Sequence, residues 1–236
     1  MGNIKGIIFD YGGTIDSRGV HWSEIIWDGY RASGTAVDKE TFREAYVYAE
    51  RELAKVRHIL PDDNFHTLLL KKMQIELGWL ADHGYISADD ARRMAPEIAR
   101  YCYERARECV EEARPVLEAI RERHIPMVLV SNFYGNVQAV LADFSLLQYF
   151  ESIIESAVVG VRKPDPQIFR LGVDALGMKP EEVLVVGDSY KKDIVPAETI
   201  GCRVAWIKGK GWTAEEDAVT HPSIIKNIGE VLQAAF

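Results

Sequence analysis

The chain has 236 residues, of which 47% are hydrophobic, and its formal net charge is -8 at pH 7. This length and apolar content allow one large α/β domain or a domain with a sizeable insertion, and they argue against a disordered chain. The acidic balance, without any run of basic residues, argues against a nucleic-acid-binding surface and against attraction to anionic lipid.

An apolar run over residues 4–9 predicts a buried strand close to the amino terminus. No secretory signal sequence precedes this run, and no apolar stretch approaches the length of a membrane span. We therefore expect a cytoplasmic protein that does not contact a membrane. The three cysteines are too few and too scattered for a disulfide framework or a zinc site, so we expect them to be reduced.

The next part of the chain, residues 17–112, contains no convincing strand and shows helical periodicity, most clearly over 42–56. Asp38 and Ser87 are suitable helix N-caps, and Pro96 should start or kink a helix. We predict about four helices here, inserted between the first strand and the rest of a sheet.

From residue 113 onward, short apolar runs alternate with helical segments. Strands are predicted at 126–130, 183–186 and 203–207, with a weaker one at 152–159, and helices at 115–123, 134–142, 166–176, 193–200 and 222–234. This alternation is typical of a doubly wound parallel α/β sheet. The predicted organisation is an α/β catalytic core, residues 1–16 plus 113–236, with an all-helical cap at 17–112.

Polar residues follow the predicted strands, at the edge where ligands collect in an open parallel sheet. They are Asp10, Ser131 with Asn132, Lys163, and Asp188 with Asp193. Two acids at neighbouring strand ends repel one another without a cation, and carboxylate oxygens are ligands that suit Mg²⁺. Lys163 would place positive charge on a phosphoryl group, and the Ser131 hydroxyl would donate a hydrogen bond to it. The set suits phosphoryl transfer through an aspartyl-phosphate on Asp10.

Four motifs, in this order, resemble those of the haloacid dehalogenase-like hydrolase superfamily, of the type with a helical (C1) cap. They are Asp10-Tyr11-Gly12-Gly13-Thr14 for the family's DxDGT, Ser131-Asn132, Lys163-Pro164, and Gly187-Asp188 with Asp193 for GDxxxxD. The resemblance implies a Rossmann-like core and, for most members, a Mg²⁺-dependent phosphatase of a small phosphorylated metabolite. The expected partner is a small phosphorylated substrate, without nucleic acid or membrane, and we expect a monomer or a homodimer.

The resemblance also implies a role for each motif residue. Asp10 is the expected nucleophile, and Ser131 and Lys163 are expected to bind the phosphoryl group. The implied Mg²⁺ ligands are Asp10, the Gly12 carbonyl, Asp188 and Asp193. The expected substrate-binding residues are Gly13, Thr14 and Asn132 from the motifs, with His21, Trp22 and Arg31 from the stretch that enters the cap.

Gly12 departs from the family pattern, because the family's phosphatases usually have an aspartate there that protonates the leaving oxygen. Such a group is typically worth about 10²- to 10⁴-fold in rate. In one explanation the protein is still a phosphatase, whose leaving group needs little protonation or whose proton comes from another residue. His21 is one such residue, and Asp16 is another, although we expect the Asp16 side chain to point away from the metal.

Two further explanations of Gly12 remain open. The protein could resemble phosphonoacetaldehyde hydrolases, which have a small residue at this position and cleave a C–P bond with a Schiff-base lysine from the cap. Lys39 and Lys55 fall in about the right region for that lysine. Alternatively, the protein could bind a phosphorylated ligand or a partner without catalysis.

Overall fold

The computed structural model describes residues 4–236, so the first three residues of the predicted core segment lie outside the described part. The strands are β1 (Gly6–Phe9), β2 (Met127–Ser131), β3 (Ser152–Glu155), β4 (Val183–Gly187), β5 (Arg203–Ile207) and β6 (Ile224–Ile225). They form one sheet in the order β3-β2-β1-β4-β5-β6, and every neighbouring pair is parallel. The predicted doubly wound, Rossmann-like sheet is confirmed.

Between β1 and β2 the described chain is helical. The helices are α1 (Trp22–Ala32), α2 (Lys39–Lys55), α3 (Phe65–Asp82) and α4 (Ala88–Glu122). Asp38 caps α2 by accepting a hydrogen bond from the Thr41 amide, and Ser87 caps α4 by accepting one from the Asp90 amide. Both predicted N-caps are confirmed, because each side-chain oxygen satisfies an amide that has no partner within the first turn.

Helix α4 is longer than the sequence predicts. It runs unbroken for 35 residues through Pro96 and Pro115, so Pro96 does not start a helix and no break separates residue 112 from the helix predicted at 115–123. Each proline removes one backbone hydrogen bond to the residue four positions earlier. Both prolines are exposed, and so are Arg92 and Glu111, whose carbonyls lose that bond, so water can satisfy them.

The remaining helices flank the sheet after β2. They are α5 (Val137–Asp143), α6 (Ser156–Val159), α7 (Gln167–Leu176), α8 (Val195–Thr199), α9 (Ala214–Ala218) and α10 (Val231–Ala235), and a π-helical turn (Tyr190–Ile194) precedes α8. The helix predicted at 222–234 is wrong, because only its last four residues, 231–234, lie in α10, and β6 and a 3-10 turn precede them. A two-residue strand is too short to show a period of two.

The register of the central strands sets the position of the polar residues. Phe9 in β1 pairs with Leu129 in β2 and with Val186 in β4. The residues just after these positions therefore emerge at the same edge of the sheet, which is its carboxyl end. No helix in residues 4–236 combines the length and the apolar content needed to cross a bilayer.

Two helical glycines allow a matched test of how closely α7 packs on the sheet. A Cβ atom at Gly172 would lie 2.8 Å from Ile8 Cδ1 and 2.9 Å from Val130 Cγ2, whereas one at Gly78 in α3 would meet no atom within 4 Å. We expect Gly172→Ala to lower the free energy of unfolding by about 1–3 kcal/mol through overpacking. Gly78→Ala should raise it by up to about 1 kcal/mol, because alanine loses less backbone entropy in a helix.

Urea unfolding of both variants beside the wild type measures the difference. Equal effects of the two substitutions would contradict the close helix–sheet contact at Gly172.

Candidate active site

Three carboxylates meet at the carboxyl edge of the sheet. Asp10 follows β1, Asp188 follows β4, and Asp193 lies in the π-helical turn, and one oxygen of each lies within 4.8 Å of the others. Two glycines make room for them. A Cβ at Gly13, where φ is +97°, would lie 2.3 Å from Asp188 Cγ, and one at Gly187 would lie 2.4 Å from Asp193 Cβ.

Lys163 lies between two of these carboxylates. Its ammonium is 2.8 Å from Asp10 Oδ1 and 2.7 Å from Asp193 Oδ1, and its side chain is 2% exposed. The Ser131 hydroxyl donates to the same oxygen of Asp10 at 2.9 Å. The carboxylate, hydroxyl and ammonium that the sequence places at separate strand ends are thus in direct contact.

The charges of this cluster are poorly balanced by protein groups alone. Burial raises the pKa of Asp10, although the Lys163 ammonium acts in the opposite direction. Burial, together with the charges of Asp193 and Asp10, raises the pKa of Asp188 well above its ordinary value. Burial lowers the pKa of Lys163, but the two neighbouring carboxylates outweigh it and raise that pKa. Three clustered carboxylates, two of them buried and Asp188 half-buried, beside one ammonium are a donor set that fits a divalent cation such as Mg²⁺.

Other motif residues hold the cluster in position. The Thr14 hydroxyl donates to Asp188 Oδ1 at 3.1 Å, and the Ser189 amide donates to Asp193 Oδ2 at 2.9 Å. The Asn132 side chain accepts from the Lys163 amide at 2.9 Å and donates to the Lys163 carbonyl at 3.1 Å. Asn132 therefore fixes the backbone that carries the lysine.

A cavity of about 680 Å³ opens over the cluster, between the sheet edge and α1, α2 and α3. Asp10, Gly12, Ser131, Lys163, Asp188 and Asp193 line it on the sheet side. His21, Trp22 and Asp16 line it where the chain leaves β1. Residues from the sheet core and from the helical insertion therefore share one enclosed space.

Asp16 takes part in a local network. It is 1% exposed, and its carboxylate accepts from the Gly13 amide at 2.7 Å and from Trp22 Nε1 at 3.1 and 3.2 Å. Burial raises the pKa of Asp16 to about 8. The Gly13 amide, expected to contact substrate, thus already has an acceptor.

His21 is the N-cap of α1, where its Nδ1 accepts from the Ser23 amide at 3.2 Å. Burial, with the charges of Lys192 and Lys72, lowers the pKa of His21 from 6.5 to about 4. The ring is therefore neutral at pH 7 and is not a ready source of a proton for the leaving oxygen.

The depressed pKa of His21 predicts an acid-sensitive stability. Between pH 6.5 and pH 4 this ring becomes protonated in the unfolded chain but not in the folded chain. The free energy of unfolding therefore decreases as the pH is lowered. We expect His21→Asn, which keeps an N-cap acceptor, to remove up to about 3 kcal/mol of that fall. Unfolding measured at several pH values for both proteins tests this, and parallel curves would contradict it.

The structure does not bring all the sequence-predicted residues to the cavity. Arg31 is exposed and pairs with Asp28 at 3.7 Å, and Thr14 faces Asp188. Neither Arg31 nor Thr14 is among the described residues that line the cavity. Lys39, which pairs with Glu24, and the exposed Lys55 are also outside it.

Sequence reasoning missed several cavity residues, among them Glu50 on α2, Lys72 on α3 and Tyr134. The available signal was in α3, where Lys72 and Glu76 lie within the buried stripe of an amphipathic helix. A charged residue in such a stripe needs a partner.

A family model described as haloacid dehalogenase-like hydrolase matches residues 4–201. The chain belongs to this family of hydrolases. Phosphoserine phosphatase of Thermus thermophilus is 31% identical over 119 residues, which are 50% of this chain and 47% of that protein. The chain matches about half or less of the length of the first curated relatives.

Solved structures align over nearly the whole chain. A predicted phosphoglycolate phosphatase from Haemophilus somnus aligns over 100% of both chains, with a TM-score of 0.59 and 19% identity. A dehalogenase with an intermediate complex aligns over 99% of this chain and 98% of its own, with a TM-score of 0.65 and 15% identity. At these identities the likenesses show a shared fold.

Proposed function

We propose that this haloacid dehalogenase-like hydrolase is a Mg²⁺-dependent phosphatase of a small phosphorylated metabolite, with Asp10 as its nucleophile. The observation that supports this most is the contact of one buried carboxylate oxygen with both the Ser131 hydroxyl and the Lys163 ammonium, beside two further carboxylates. A dehalogenase that works without a metal has no need of those two acids. The similarity to a phosphoserine phosphatase agrees with this choice.

In the proposed reaction the Asp10 carboxylate attacks phosphorus, the P–O bond to the alcohol breaks, and an aspartyl-phosphate forms. Water then attacks this intermediate, which regenerates the carboxylate and releases inorganic phosphate. Asp10, Asp188, Asp193 and the Gly12 carbonyl would hold Mg²⁺, which would neutralise negative charge at the site. Lys163 and Ser131 orient the phosphoryl group and stabilise its developing charge.

The C–P hydrolase alternative needs a lysine from the helical insertion, and neither of the two lysines expected from the sequence is in place. Lys39 and Lys55 are outside the cavity. Lys72 is inside it, and although burial acts to lower its pKa, Glu50 and further neighbouring groups together raise that pKa well above its ordinary value. Schiff-base formation needs a neutral amine, so this lysine suits the binding of charge rather than covalent catalysis.

Phosphate release from aryl, acyl and sugar phosphates, with Mg²⁺ and with excess chelator, tests the proposed function. We expect phosphate release that depends on Mg²⁺ and that is fastest for aryl and acyl phosphates, whose leaving groups need little protonation. Failure to release phosphate from any ester, with inorganic phosphate still bound, would contradict the phosphatase and favour a non-catalytic binding protein.

A further inference from the structure

A second set of charged side chains lines the same cavity as the catalytic carboxylates. Lys72 of α3 and Glu50 of α2 form an ion pair there, and the Lys72 side chain is only 6% exposed. Within residues 4–236, Glu50 is the only acid paired with Lys72. We refer to these two residues as the charge pair.

Two aromatic residues contact the charge pair, and one of them lies in the loop that follows β2. The Lys72 ammonium lies 4.2 Å from the centroid of the Tyr46 ring, and the Tyr134 hydroxyl lies 3.4 Å from both carboxylate oxygens of Glu50. Tyr134 is three residues beyond Ser131, whose hydroxyl donates to Asp10. The charge pair therefore lines the cavity from the helices α2 and α3 and contacts the loop that follows β2 through Tyr134.

Both members of the charge pair are ionised at neutral pH. Burial alone would lower the pKa of Lys72, but the Glu50 carboxylate raises it well above its ordinary value. Burial alone would raise the pKa of Glu50, but the Lys72 ammonium holds it below its ordinary value. Burial raises the pKa of the neighbouring Glu76 to about 8, so that group is mostly protonated at pH 7. At the charge pair itself the cavity wall thus presents one ammonium and one carboxylate, and the exposed Arg51 of α2 also lines the cavity.

A neutral pair of opposite charges selects ligands differently from a single lysine. A lone ammonium attracts any anion, whereas here the adjacent carboxylate cancels most of that attraction at a distance. A ligand with only a carboxylate would face repulsion from Glu50, and a ligand with only an ammonium would face repulsion from Lys72. A ligand that carries both groups can form a charge-assisted hydrogen bond with each member.

We propose that the charge pair binds the alcohol portion of the substrate and that this portion is an α-amino acid. The carboxylate of an O-phosphorylated amino acid would lie on Lys72, its ammonium would lie on Glu50, and its phosphoryl group would lie at Asp10. This inference rests on the proposed phosphatase function and adds the chemical class of its substrate.

Such a substrate also carries a proton donor into a site where Gly12 provides none. When Asp10 attacks phosphorus, the electron pair of the breaking P–O bond goes to the leaving oxygen. The α-ammonium, two carbons away in O-phosphoserine, donates one proton to that oxygen and keeps other N–H bonds for Glu50. The product leaves as an alcohol with a neutral amine, which takes up a proton from water.

Kinetics with a matched set of esters tests the proposal. O-Phosphoserine and O-phosphohomoserine carry both charged groups at two distances, phosphoglycolate carries only the carboxylate, and phosphoethanolamine carries only the ammonium. We expect kcat/KM for at least one doubly charged ester to exceed that of both singly charged esters by about tenfold or more. Lys72→Met and Glu50→Gln should each reduce this ratio toward one.

Lys71→Met is the matched control, because Lys71 is the neighbouring lysine of α3, pairs with Asp63 and does not line the cavity. We expect it to leave the ratio unchanged. If the charge pair serves only to hold α2 against α3, Lys72→Met will lower the melting temperature without changing the ratio. That result would overturn the proposal.

Binding measurements separate this proposal from the proposed function. Calorimetric titration of the four esters into the Asp10→Asn protein does not need turnover, and the same preference for a doubly charged ester is expected there. Preferential binding without any phosphate release by the wild type would contradict the phosphatase but support the amino-acid subsite. Equal affinities for all four esters would overturn the subsite, whatever the protein's activity toward aryl phosphates.

Discussion

Asp10→Asn should reduce Mg²⁺-dependent phosphate release by about 10³-fold or more for every ester that the wild-type protein hydrolyses. An amide cannot form the aspartyl-phosphate, and the substitution removes one of three clustered carboxylates. The fold should tolerate the change, because an amide oxygen can still accept from the Ser131 hydroxyl and the Lys163 ammonium, which both contact Asp10 Oδ1. Steady-state phosphate release is the measurement.

Two controls make this result specific to the nucleophile. Asp89→Asn removes a carboxylate that is 91% exposed on α4, and we expect it to leave the rate unchanged. Acid-quenched wild-type protein should carry a phosphoryl group on the peptide that contains Asp10, detectable by mass spectrometry, and the Asp10→Asn protein should not. Turnover by a correctly folded Asp10→Asn protein would show that another group attacks phosphorus.

The polar residues at the carboxyl edge of the sheet could be predicted from sequence because parallel strands impose a simple rule. Each buried run ends in a polar residue, and the carboxyl ends of parallel strands meet at one edge. Asp10 and Asp188 directly follow β1 and β4 and come together for this reason, although 178 positions separate them. The contacts of Thr14 and Gly13 do not follow from this rule, because they depend on which way a tight turn directs each group.

The charge pair could not be predicted in the same way. Lys72 and Glu50 lie on separate amphipathic helices, where charged residues are usually solvated. Only the packing of α3 against α2 brings the ammonium to the carboxylate and to the Tyr46 ring. No comparable rule says which residues of two packed helices will meet. The residues that line the helical side of the cavity are therefore known only from the tertiary structure.

The missing acid at position 12 leads to the second large expected effect. Gly12 lines the cavity beside Asp10, and a Cβ atom there would meet no other atom within 4 Å, so an aspartate side chain has room. A positioned general acid is worth about 10²- to 10⁴-fold when the leaving oxygen needs a proton. We expect Gly12→Asp to raise kcat for phosphoglycolate, an alkyl ester without an ammonium, by about tenfold or more, provided that the wild-type protein hydrolyses it.

The comparison of leaving groups decides what the new carboxyl group does. 4-Nitrophenyl phosphate, whose leaving oxygen needs little protonation, should gain much less than phosphoglycolate from Gly12→Asp. Gly12→Asn fills the same space without an acid and should give neither gain, so it controls for a change in loop geometry. Equal rates for Gly12→Asp and Gly12→Asn on phosphoglycolate would mean that a carboxyl group at position 12 does not donate a proton to the leaving oxygen. A gain confined to the aspartate would mean that the site is built for the usual acid and that the natural substrate works without it, as an ester with its own ammonium group can.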